Sequence, residues 1–228
     1  MISLLAFFCL QSHATVSISP EHLLESPIET RVREFKAQGD QGVRSLRAIA
    51  FDKKQPLRLR WRALTTMGRW DAIHFRDDLD RALASPDWFM RNAALIALKN
   101  DERTRAVAWS MKLLSDPALV IRTQAVRNLI DLSAIEAEPD LWKEIHNRRN
   151  FRGEQSLWVR SHIAEALSRF ARPGQTRQFQ KLLLDNDPRL HKWAILGLET
   201  STGMKLTTKS EPLDIRRHKW LARLDLGT

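Results

Sequence analysis

The strongest constraint on this chain is a period. Taking Arg122 in the stretch DPALVIRTQAVRNL (Asp116 to Leu129) as an anchor places Arg60, Arg91, Arg160 and His191 in register, at steps of 31, 31, 38 and 31 residues. The neighbours of each anchor repeat too. The residue before it is apolar in every copy: Leu59, Met90, Ile121, Val159 and Leu190. Three residues after it stand Ala63, Ala94, Ala125, Ile163 and Ala194; four after it, Leu64, Leu95, Val126, Ala164 and Ile195; seven after it, Met67, Leu98, Leu129, Leu167 and Leu198. These offsets share one face of an α-helix, and the stripe is wide enough to be packed from two sides. A short unit that cannot bury such a face alone must stack on copies of itself, which predicts a solenoid.

Within the best copy, Asp116 is expected to cap the helix and Pro117 to sit at its first position, where a missing N–H costs nothing. A first helix should precede each anchor helix, at about 41–52, 73–84, 103–115, 139–148 and 174–185, each joined to its partner by a short turn with Pro or acid. With only eight Gly and no long alternation of apolar residues, the chain reads as all-α. The Asp-Pro turn followed by apolar-Arg-x-x-Ala resembles the second helix of a HEAT repeat. The resemblance spans about residues 27–226; Ser85 to Leu98 lacks the leading acid, and His191 replaces the Arg. It implies a right-handed α-α superhelix of about five helix pairs with atypical ends, similar to bacterial HEAT-like proteins of the phycobilisome-lyase type.

The ends are read separately. Residues 2–10, ISLLAFFCL, followed by Ser12-His13-Ala14, read as a signal peptide over 1–14, too short to span a bilayer; the competing reading is a buried N-terminal helix. Its Cys9 is the single cysteine, so cleavage would leave a chain without thiols, compatible with a periplasmic or secreted protein. Without cleavage the protein would be cytoplasmic. Ser26-Pro27-Ile28-Glu29 is a candidate capping box opening a helix that stops at Gly39, and PIETRVREF parallels PLRLRWRAL, so 15–40 reads as a partial leading repeat. Repeats then occupy 41–198, and 199–228 forms a C-terminal cap in which the triplet HKW recurs at 218–220 and Trp220 plugs the core.

No chemistry is evident. HExxH, cysteine pairs, Gly-rich phosphate loops and GxSxG are all absent, so no catalytic, cofactor-binding or metal-ligating residue is expected. Asp77, Asp78 and Asp80, beside Arg76 and Arg81, read as a solvated charged face. Five of the eight Trp (Trp61, Trp88, Trp158, Trp193 and Trp220) read as fillers between stacked helices rather than ligand platforms.

A formal charge of +10 and a pI near 10.3 favour an anionic partner. The anchors Arg122, Arg160 and His191 each follow an acid by six residues (Asp116, Glu154, Asp185) and read as internally paired rungs; Arg60 and Arg91 have none at that offset. Three stretches are therefore candidate binding surfaces, together with Arg91. The first is 53–62, with Lys53, Lys54, Arg58, Arg60 and Arg62. The second is the insertion responsible for the 38-residue step, with Arg148, Arg149, Phe151 and Arg152; the third holds Arg216, Arg217, Lys219 and Arg223. The reading that follows is a monomeric, non-enzymatic scaffold for an acidic protein or an anionic envelope polymer. A nucleic-acid-binding relative of the HEAT-like alkylpurine DNA glycosylases competes with it, but the Trp-Trp-Asp run of that family is missing and Asp87-Trp88 is the nearest sequence. A phycobilin-lyase relative is a third reading, with no residue here to mark a chromophore site.

Overall fold

A computed structural model describes residues 18–225. The signal-peptide reading of 1–14 lies outside the described residues. Helices α1 (Pro20–Leu23) and α2 (Ile28–Ala37) lead into five pairs: α3 (Asp40–Phe51) with α4 (Leu57–Asp71), α5 (Arg76–Leu83) with α6 (Trp88–Ala97), α7 (Arg103–Leu113) with α8 (Leu119–Asp131), α9 (Glu138–Glu144) with α10 (Val159–Arg169), and α11 (Thr176–Leu183) with α12 (Pro188–Thr202). Helix α13 (Leu213–Asp225) follows. The second helices α4, α6, α8, α10 and α12 each pack on the next, while every first helix packs on its own partner. The result is a two-layer all-α solenoid.

The repeating stripe is what holds the layers together. Every residue at the four apolar offsets is buried, from Leu59 in the first pair to Leu198 in the last. Small side chains set the spacing. Gly68 on α4 lies so close to α6 that a Cβ there would stand 2.2 Å from Ala97 Cβ, and the neighbouring Ala93, Ala94 and Ala97 are all fully or nearly buried. The far end is closed by α13, which packs on both α11 and α12 and buries Trp220 completely.

Four local expectations are corrected. Asp116 and Pro117 stand in the turn before α8 and not on it; Asp116 Oδ1 accepts the Ala118 N–H at 2.8 Å, so helix begins only at Leu119. The expected arrangement occurs instead at α12, where Asp187 accepts from the Arg189 N–H at 3.0 Å and Pro188 is the first helical residue. The capping box at 26–29 does not form, because the Glu29 carboxylate is engaged by Arg69 of α4 at 2.9 Å. The insertion is not all loop: a 3-10 turn, Arg148–Asn150, runs into an antiparallel hairpin of β1 (Phe151–Arg152) and β2 (Gln155–Ser156), which turns through Gly153 at φ 59°. Finally, Trp88 and Trp158 are 53% and 55% exposed and are not buried fillers: Trp88 is the first residue of α6 and Trp158 immediately precedes α10.

Candidate functional site

The anchors form a ladder, but its rungs run between repeats. Arg91 Nη1 donates to Ser85 O and Pro86 O, both at 2.8 Å, and Arg122 Nη1 to Asp116 O and Pro117 O at 2.8 and 3.0 Å. His191 Nε2 lies 2.8 Å from Asp185 O. What stands six residues before an anchor is therefore used mainly through its carbonyl. The carboxylate comes from the next repeat: Arg91 meets Asp116 through Nε–Oδ2 at 2.7 Å and Nη2–Oδ1 at 2.9 Å, and Arg160 meets Asp185 through Nη2–Oδ2 at 2.6 Å. The expected pairings Asp116–Arg122, Glu154–Arg160 and Asp185–His191 are overturned, because an acid in the turn reaches back to the preceding unit. Glu154 pairs at the surface with Arg148 at 3.3 Å. Burial works to raise the Asp185 carboxyl, but the Arg160 hydrogen bonds and the Asp187 N–H hold it below its ordinary value.

Arg122 has an amide in place of an acid. Its Nε donates to Asn150 Oδ1 at 2.9 Å and Nη2 to Arg149 O at 2.9 Å, and Asn150 is held by its own bond to Glu144 O at 2.7 Å. The inserted segment thus serves the ladder. Burial and the nearby Arg149 charge lower the pKa of this guanidinium.

Most of the sequence-predicted cations are likewise engaged within the chain. Arg58 and Arg62 both pair with Glu25, and Arg62 also donates to Leu24 O at 2.9 Å. Arg60 is buried, and Arg91 is bound to Asp116 as above. Lys53 and Lys54 are exposed in the turn after α3. Arg149 donates to Ser115 O at 2.6 Å; Phe151 lies under the Arg160 guanidinium at 4.3 Å, which makes it part of the ladder; Arg152 is exposed at the hairpin. At the C-terminal end Arg217 donates to Leu183 O at 2.8 Å, Lys219 pairs with Glu211 at 2.6 Å, Arg216 approaches Glu199 at 4.0 Å, and Arg223 is exposed. The acids Asp78 and Asp80 are also taken, by Arg47 at 2.9 Å and by Arg105, so this face is not simply solvated.

A different surface emerges from the helical geometry. At 100° per residue, the offsets −2, +1, +2 and +5 from each anchor lie opposite the buried stripe, on the open face of the second-helix layer. Tryptophans cross its seams: Trp61 Nε1 donates to Asn92 Oδ1 at 3.3 Å, Trp158 Nε1 to Thr123 Oγ1 at 3.0 Å, and Trp193 Nε1 to Ser161 Oγ at 3.3 Å. Between α8 and α10 a cavity of about 230 Å³ is lined by Val120, Thr123, Gln124, Arg127, Trp158 and His162. Further along, one of about 570 Å³ is lined by residues that include Lys192, Trp193, Leu196, Lys205, Lys209 and Arg216.

The cations of this face divide into paired ones, Arg58 and Arg62 with Glu25 and Arg189 with Asp187, and a set toward the C-terminal half without acid partners. Arg127, Lys205 and Lys209 make no ion pair among the described residues, and Lys192 stacks on the Trp193 ring at 4.4 Å from its centroid. Two acids lie among them: Glu165 is held by Arg169 at 2.9 Å, and Glu199, which also lines the larger cavity, accepts from Thr207 at 3.3 Å and faces Arg216 at 4.0 Å. Burial lowers the pKa of His162, as do the charges of Arg127 and, less strongly, Lys192, while Glu165 at 4.0 Å opposes them. Sequence reasoning missed these cations because each stands alone in the chain. Reading the offsets of successive repeats side by side would have gathered Arg127 and Lys192, but not Lys205 and Lys209, which stand in the segment between α12 and α13.

Among the described residues no group of His, Cys, Asp or Glu is placed to hold a metal ion, and no helix is long and apolar enough to cross a membrane. No family model and no curated protein matches the chain. Among solved structures, an engineered protein is 22% identical, with a TM-score of 0.49 over 79% of this chain and 87% of that one. The complex of CpcE and CpcF of phycocyanin lyase from Nostoc sp. PCC7120 is 17% identical, with a TM-score of 0.43 over 98% of this chain and 100% of that one. Neither likeness bears on what this chain binds.

Proposed function

We propose that this solenoid is a non-enzymatic, exported interaction scaffold that holds an acidic polypeptide segment along the open face of its second helices. The observation that carries the reading is the set of unpaired cations, Arg127 and Lys192 foremost, beside the exposed Trp158 and the half-buried Trp193. An extended acidic segment would bury the exposed indole area while its carboxylates meet cations that have no acid partner among the described residues. Stacked helices present these groups on a backbone that needs no ordering, so on the scaffold side only side-chain rotamers are fixed on binding.

The test is a titration of a Glu- and Asp-rich peptide against the wild type and the double variant Arg127→Ser, Lys192→Ser. Affinity should fall about tenfold in the variant, and it should weaken as salt rises, with little change in melting temperature. Equal affinity in the two proteins would end the reading. A single-stranded oligonucleotide runs beside the peptide; if it binds the wild type more tightly than the peptide does, the nucleic-acid reading replaces this one. Export is tested independently by sequencing the N-terminus of the mature protein, which should begin at Thr15.

A further inference from the structure

One position of the arginine ladder is unfilled. Arg60 on α4 repeats the surroundings of Arg160 on α10: the two residues are 6% and 2% exposed. Arg60 Nε donates to Ala50 O, near the end of the preceding first helix, at 3.1 Å, as Arg160 Nε donates to Ile145 O at 2.8 Å. Its guanidinium lies 5.0 Å from the Phe89 ring centroid, as that of Arg160 lies 4.3 Å from Phe151. What differs is the acid. Asp116 stands 25 residues after Arg91, and Asp185 stands 25 after Arg160. The residue at that place for Arg60 is Ser85.

Neither Nη of Arg60 donates to any described residue, whereas both Nη groups of Arg160 reach Asp185. Among the other anchors without an acid at this place, Arg122 has Asn150, and His191, with Arg216 25 residues on, is held among the described residues only by the Asp185 carbonyl. At Arg60 a cavity of about 290 Å³ opens instead, between the turn after α3 and the turn before α6. Lys53 and Arg81 also line it, and neither makes an ion pair among the described residues; Arg81 rests on the Phe51 ring at 4.1 Å. The one carboxylate in the lining, Asp87, pairs with none of the three cations.

We infer that Arg60, with Lys53 and Arg81, is a binding site for a carboxylate presented from outside, an Asp or Glu side chain of a bound polypeptide that completes the ladder where Ser85 leaves it open. Arg60 as a residue is nine-tenths buried, and its two free Nη groups, open to the cavity, match the two oxygens of a carboxylate. The inference rests on the reading that the partner is an acidic polypeptide, but it concerns a separate surface, the turn edge of the first two helix pairs.

Ser85→Asp tests it, since this substitution supplies the missing carboxylate from within the chain, and Ser85→Ala, which offers no acceptor, serves as the control. The probes are sodium glutarate, compared with sodium chloride at equal ionic strength, and the Glu- and Asp-rich peptide. Glutarate should raise the melting temperature of the wild type, of Ser85→Ala and of Arg127→Ser, Lys192→Ser, but not of Ser85→Asp. Ser85→Asp should also bind the peptide about tenfold more weakly than the wild type. A glutarate response in Ser85→Asp equal to that of the wild type would overturn the site. So would a larger response of the wild type to inorganic phosphate than to glutarate, because the site would then not be a carboxylate site. If the peptide fails to bind the wild type while the glutarate response is present and lost in Ser85→Asp, the site stands and the scaffold reading falls. If peptide binding is lost only in Arg127→Ser, Lys192→Ser, the scaffold reading stands and the site falls.

Discussion

A ladder arginine uses its two ends differently. One side of the guanidinium ties down the carbonyls of its own turn, and the other meets the carboxylate of the next repeat, so Arg91 and Asp116 clamp two units together. The pair is largely withdrawn from water, with side chains 11% and 4% exposed, and removing one member leaves the other charge uncompensated at a cost of about 3 kcal/mol or more. A double-mutant cycle on Arg91→Ala and Asp116→Ala should therefore show coupling above about 1 kcal/mol. The same cycle on Arg122 and Asp116 should show less, because Arg122 holds the Asp116 backbone carbonyl, which every substitution preserves. Larger coupling for Arg122 would show that the rung runs within the repeat after all. The anchors themselves were legible in the sequence, but the direction of their rungs was not. An offset of six residues is visible along a chain; an offset of 25 becomes meaningful only once the stacking of two units is known. The same blindness made Arg58 and Arg62 look unpaired, since their acid, Glu25, lies 33 and 37 residues away.

At the level of the helix, periodicity carried most of the information. The four apolar offsets named the buried side of every second helix, and the first-helix ranges matched to within a few residues, because amphipathic patterning responds directly to burial. The failures are at places where a side chain had two possible partners. Glu29 could have closed a capping box and instead reached Arg69, and Asp116 could have begun a helix and instead held a turn. Gly68 tests the packing argument. Replacing a mid-helix Gly by Ala usually gains up to about 1 kcal/mol from helix propensity. Here the new methyl would meet the Cβ of Ala97 at 2.2 Å and its Cα at 2.7 Å, so α4 and α6 must separate. Gly68→Ala should thus be net destabilising by about 1–3 kcal/mol in denaturant unfolding, the usual range for overpacking. A variant as stable as the wild type would mean that the α4–α6 seam is looser than its alanine lining implies.

Across the whole molecule the stack is quasi-one-dimensional, so stability is distributed by neighbour contacts and an end unit has only one neighbour to lean on. Two tryptophans of similar sequence context therefore have opposite roles. Trp220, on α13, is wholly buried where that helix packs on the last pair, while Trp158 is 55% exposed on the open face. The duplicated HKW triplet pointed to the first role; nothing in the sequence separated the second from it, because exposure of a Trp at a helix start depends on what the adjacent repeats leave uncovered. Trp220→Ala should cost about 3–5 kcal/mol, the range for truncating a large core aromatic. The loss should be local in origin: hydrogen exchange should quicken first in α11, α12 and α13, with the amides of α4 and α6 retaining their protection. Trp158→Ala should leave the melting temperature close to that of the wild type and weaken only the acidic peptide. If Trp220→Ala instead loosened every helix equally, the five pairs would behave as one cooperative globule, and the picture of an end cap on a linear stack would have to be abandoned.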